Sequence, residues 1–103
     1  MTHLIYVTVK DLPEAKAIAA RLLEARLIAC ANILDSMHSI YRWEGKVCDS
    51  REVLLLAKTI EDKIPEVVDA VREMHSYELP AIVAIPITAG LPDFLKWVGN
   101  EVS

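Results

Sequence analysis

Lys58 ends the run Val53-Leu54-Leu55-Leu56-Ala57, and that setting is what gives a lysine chemistry. A strand continuing the run holds its stem among apolar neighbours. An ammonium short of water loses its proton more readily and becomes a nucleophile or base, or it keeps its charge and grips an anion. The competing reading is a strand-end lysine that snorkels to solvent. Glu52 opens the same strand and, by alternation, stands on the same face. At about 3.3 Å per residue the two side chains are roughly 20 Å apart, so any joint role requires a second copy of the chain.

His75-Ser76-Tyr77-Glu78-Leu79-Pro80 is the second constellation, placed between a helix and a strand, where loops on a rigid scaffold concentrate polar function. His75 is suited to ligate a metal or move a proton, and equally suited to sit at a helix C-terminus, where the dipole favours it. Tyr77 either hydrogen-bonds a ligand or caps the core. Metal-ligand spacing is otherwise weak, since His3, His38, His75, Cys30 and Cys48 are dispersed with no CxxC, HxxxH or HExxH pattern. No Gly-rich phosphate loop, GxSxG elbow or pair of spaced carboxylates stands out. Cys30, flanked by Ala29 and Ala31, reads as a small core thiol.

The elements that must position these groups follow from pattern. Leu4 to Val9 is an apolar, β-branched run and predicts a buried central strand. Asp11 with Glu14 three residues on, and Pro13 in the first turn, starts a helix with the stripe Leu12, Ala15, Ile18, Ala19, Leu22 and Leu23. Two long strand-forming runs then flank Tyr41-Arg42-Trp43-Glu44-Gly45-Lys46. With Glu44-Gly45 as turn residues, Gly45 takes the positive φ of a primed hairpin and Trp43 lies opposite Lys46. That pairing puts Cys48 opposite Tyr41 and Cys30 near Thr59, too far apart to bridge, so both are expected as reduced thiols. Glu61-Asp62 and Pro65 open a second helix with the stripe Ile64, Val67, Val68, Val71 and Met74, ending near His75. Ala81 to Ile87 is the last strand, at an edge or finished by Pro86. A terminal segment, Leu91 to Val98, carries Phe94 and Trp97 on one side if helical.

The order βαββαβ with a tail predicts an α+β ferredoxin-like sandwich, one domain over residues 1–103, with a long hairpin between the second and third strands. Hairpin arms of this length outrun the usual strand of about five or six residues and need a cover. The apolar share, 53%, is above the roughly 45–50% of soluble domains, and burial between copies is the simplest outlet. A net charge of −4 with 11 scattered basic residues excludes a nucleic-acid footprint and disfavours anionic membranes. No run approaches the roughly 20 apolar residues of a membrane span, and the N-terminus lacks a basic n-region and cleavage site, so a cytoplasmic protein is expected.

Ala29-Cys30-Ala31-Asn32, Tyr41-x-Trp43-Glu44-Gly45-Lys46, Glu52, Lys58-Thr59, His75-x-Tyr77-Glu78-x-Pro80 and Trp97 together resemble, in order and spacing, the CutA divalent-cation-tolerance family over essentially the whole chain. The resemblance implies a tight homotrimer whose hairpins extend the sheets across subunit boundaries, with an architecture similar to the PII-type signalling proteins. It implies a role in tolerance of, or response to, divalent cations, copper above all, and a pocket between subunits. The positions around that pocket are Asn32, Trp43, Glu52, Lys58, His75 and Tyr77. The family's proposed copper site uses a Cys in the first strand and a His-His pair ending the second helix; the matching positions here are Val7, Met74 and His75, so His75 alone is kept as a metal ligand. The family pattern often has Glu after the Pro of the His-x-Tyr-Glu segment, where this chain has Ala81. Three classes of function stay open: a trimeric binding or sensor protein for a metal ion or small ligand, an enzyme using Lys58 or His75 on a small anionic substrate, and a trimeric scaffold for a protein partner.

Overall fold

The computed structural model describes residues 1–103. Its elements run β1 (Thr2–Val9), α1 (Leu12–Glu24), β2 (Cys30–Trp43), β3 (Lys46–Ile60), α2 (Ile64–Met74), β4 (Ile82–Pro86) and α3 (Pro92–Glu101), with a 3₁₀ turn, Glu61–Lys63, leading into α2. α1 starts where its capping residues require. Asp11 is extended, and its carboxylate accepts the Glu14 N–H at 2.9 Å, which satisfies one of the amides that a helix start leaves unpaired. Ala15, Ile18, Ala19 and Leu22 are the buried face of α1, and Val67 and Val71 that of α2. Leu23, expected in the stripe of α1, is 43% exposed.

The four strands form one antiparallel sheet in the order β2-β3-β1-β4. β1 and β2 are separated by β3, so the α1 crossover is a split βαβ unit and the fold is mixed α/β. Ile5, Val7, Val9, Val53, Leu55 and Ala57 face the helices and build the core with Ile18, Leu22, Val67 and Val71. Alternation puts Leu4, Tyr6 and Thr8 of β1, Leu54, Leu56 and Lys58 of β3, and Val83 and Ile85 of β4 on the other face, which no helix of the core layer covers. β4 is an edge strand ending at Pro86, as a residue without an N–H demands. α3 packs against β3 and β1 with Val98 and Val102 fully buried, while Phe94 stacks on Trp97 at 5.7 Å.

The hairpin turns at Glu44 (φ 49°) and Gly45 (φ 78°), the double positive φ of a type I′ turn, with Trp43 opposite Lys46. β1 pairs with β3 only as far as Val53, so residues 46–52 pair with β2 alone and the tip projects, giving extents of 44 × 26 × 22 Å. The arm carries apolar groups on both faces: Tyr41 and Trp43 on one, Ile40 (72% exposed) and Val47 (69% exposed) on the other. A register shift between Leu34 and Met37, with Ser36 at φ 69°, adds one residue to β2 and strengthens the local twist. Arg51 donates to the Ser36 hydroxyl across it. The shift also moves Cys30 opposite Lys58 instead of near Thr59, which places it half-buried on the open face, not in the core. Cys30 and Cys48 are both free thiols.

Candidate ligand cleft

Glu52 stands on β3 where the projecting arm leaves the sheet, and the residue is 8% exposed. The Tyr77 hydroxyl, from the loop that follows α2, donates to its Oε2 at 2.6 Å. His75 holds that loop. Its Nε2 lies 2.7 Å from the Thr8 carbonyl oxygen, which can only accept, so Nε2 carries a proton; its Nδ1 accepts the Tyr77 N–H at 3.1 Å and is therefore bare. The two bonds fix the neutral Nε2–H tautomer. The ring packs against Tyr77 at 4.8 Å, and Ser76 Oγ donates to Glu14 Oε2 at 3.1 Å, tying the loop to α1. Burial, then the hydrogen bond to Glu52 and the carboxylate's charge, hold the Tyr77 phenol well above the usual tyrosine range, so it remains a donor.

Between this loop, the open face of the sheet and the hairpin arm lies a cleft of about 690 Å³. Tyr6, Tyr41, Trp43 and Tyr77 give it four aromatic walls; Glu52 and Glu78 are the only carboxylates, and no lysine, arginine or histidine lines it. Of the six residues expected around a pocket, the fold brings Trp43, Glu52 and Tyr77 together and sets His75 behind them as the support of the loop. Asn32 and Lys58 are elsewhere on the open face, where the Lys58 ammonium donates to Asn32 Oδ1. Within one chain Lys58 and Glu52 thus have separate partners. Sequence reasoning had Ser76, Glu78 and Leu79 in the loop constellation without assigning them to the pocket, and it missed Tyr6, Thr8, Ser39, Tyr41 and Ala81. Their signal was present: alternation puts Tyr6 and Thr8 on the open face and Tyr41 on the Trp43 side of the arm.

A copper ion or another divalent cation does not fit the residues the sequence offered. His75 has both ring nitrogens committed within the fold. Val7 is a core residue, 1% exposed, and Met74 packs against the same core. No three His, Cys, Asp or Glu side chains stand together as a metal-holding group. A metal at His75 would have to displace either the Thr8 or the Tyr77 bond.

The sheet, its helical layer and the hairpin-walled cleft define a mixed α/β protein with a split βαβ core and a ligand-sized cleft at the base of a projecting arm. The family profile of the CutA1 divalent ion tolerance protein matches residues 3–101. The divalent-cation tolerance protein CutA of Archaeoglobus fulgidus is 46% identical over 102 residues, 99% of each chain. The structure of that organism's CutA, described as periplasmic, superposes with a TM-score of 0.96 over 100% of both chains. The Thermus thermophilus structure, 40% identical, gives 0.95 over 98% of both. The chain belongs to the CutA1 divalent ion tolerance family. A chloroplastic CutA of Arabidopsis thaliana is also similar, 36% identical over 94% of this chain and 53% of its own length. No helix here is long and apolar enough to cross a membrane.

Proposed function

We propose that the chain is a subunit of a cytoplasmic homotrimer of PII-like architecture that binds a small ligand in its cleft as part of a response to divalent cations. The observation that carries this reading is the cleft itself: about 690 Å³, within the roughly 300–1,000 Å³ of small-molecule sites, mostly apolar, with a few convergent polar groups. Association is supported by the two-sided apolar arm and by the open face, where Leu34, Val83 and Ile85 are 56%, 49% and 45% exposed. Uncovered strand edges and apolar faces of this kind favour pairing with further copies. Trp43, Glu52 and Tyr77 are assigned to the ligand and His75 to the loop's support. Asn32 and Lys58 are assigned to the face that another copy covers. The cation response, copper included, enters through the family and not through a metal ligand at His75.

Native mass spectrometry of the purified protein tests both parts. The expected species has three times the 11.5 kDa chain mass and carries a small-molecule adduct. Ala81, exposed at the cleft, is replaced by Trp to fill it; the adduct should then vanish while the trimer persists. A monomer with native circular dichroism refutes the assembly, and an adduct that survives Ala81→Trp refutes the site.

A further inference from the structure

Glu52 is a carboxylate with no ion-pair partner in the chain. The residue is 8% exposed, and its one side-chain hydrogen bond comes from a neutral phenol. No lysine, arginine or N-terminal amine lies within 4.0 Å of it. The oxygen that Tyr77 leaves free is still reached from the cleft, and a partly dehydrated carboxylate without a counter-charge favours a cation beside it. The second carboxylate of the cleft, Glu78, is exposed at its rim and adds to the same sign. Tyr6, Tyr41, Trp43 and Tyr77 supply the aromatic part of the same wall.

We propose that the cleft takes an organic cation, an ammonium or guanidinium group on a small apolar body, whose charge meets Glu52 while its body and charged head rest on the aromatic faces. This rests on the cleft being the ligand site. Ring faces attract cations through their quadrupoles, most strongly for Trp and more so where water is excluded. A charged donor also gains from the carboxylate oxygen that Tyr77 leaves free. An anion would meet two carboxylates and negative ring faces, while within the chain Lys58 is bonded to Asn32 outside the cleft. A hard divalent ion asks for six or more oxygens, or water it is reluctant to shed. Two carboxylates in an aromatic wall do not supply them.

Isothermal titration of the assembled protein with benzylammonium and with benzoate, near-equal in size and opposite in charge, tests the inference. The cation should bind and benzoate should not. Glu52→Gln keeps an oxygen for the Tyr77 hydroxyl and removes the charge, so it should weaken the cation about tenfold. Trp43→Leu, at a site 41% exposed, should weaken it several-fold with circular dichroism unchanged. Equal binding to Glu52→Gln and wild type overturns the proposal, as does cation binding that emerges only in Lys58→Met, which would mean that another copy's lysine already neutralises Glu52. Benzoate binding abolished by Ala81→Trp would keep the cleft as the ligand site and overturn only the charge of its ligand. Failure of both probes, with no adduct sensitive to Ala81→Trp, would remove the site itself.

Discussion

Tyr77→Phe isolates the bond on which the cleft is built. The substitution keeps the ring, and so its packing on His75 at 4.8 Å, and deletes only the hydroxyl that reaches Glu52 Oε2 at 2.6 Å. A hydrogen bond to a charged group contributes about 1.5–3 kcal/mol, and stranding a buried acceptor costs about 1–3 kcal/mol. Tyr77 is only half-buried, and water that enters beside Phe offsets part of the loss, so the expected destabilisation is about 1–2 kcal/mol. Urea unfolding at one fixed protein concentration measures it, because assembly makes stability concentration-dependent. A double-mutant cycle with Glu52→Gln separates the pair from its surroundings.

The same bond dictates a pH dependence. The phenol ionises near pH 10 in the unfolded chain and well above that in the fold, so above pH 10 the unfolded state binds fewer protons and stability falls as pH rises. The cost of Tyr77→Phe should accordingly be complete below about pH 10 and shrink above it. A cost below about 0.3 kcal/mol at neutral pH, or one that grows in alkali, would refute the argument that this hydroxyl holds Glu52.

Gly45→Ala at the hairpin tip should cost about 1–2 kcal/mol through backbone strain alone, since φ is +78° and an added Cβ meets nothing within 4 Å; unchanged urea unfolding would mean that the turn is not of the primed type. His75→Ala should loosen the loop, seen as faster amide exchange at Tyr77, and should leave the heat of Cu(II) titration unaltered. Loss of a copper signal in that variant would put a metal ligand where the hydrogen bonds place a strut.

Local chemistry made much of the fold legible. Asp11 with Glu14, Pro13 in the first turn, Gly45 at the tip and Pro86 at an edge each act through their own backbone, within a few residues, and each does so in the structure. The order βαββαβ with right-handed crossovers then left few arrangements, and β2-β3-β1-β4 is the one found. Alternation along β3 also put Glu52 and Lys58 on one face. What spacing along the chain did not contain is which side chains meet across it. The added residue at Ser36 changes the pairing of everything before it, so Cys30 lies opposite Lys58. The packing of α2 against the sheet sets where its last turn delivers His75, and the Thr8 carbonyl it finds there orients Tyr77 toward Glu52, 25 residues away in sequence. Residue types nominated His75 as a ligand and Lys58 as the charge of the pocket. Tertiary packing gave the first two hydrogen bonds within the fold and the second a partner in Asn32, because a hydrogen bond forms only where twist, register and loop path bring donor and acceptor within about 3 Å, and no local pattern encodes that distance.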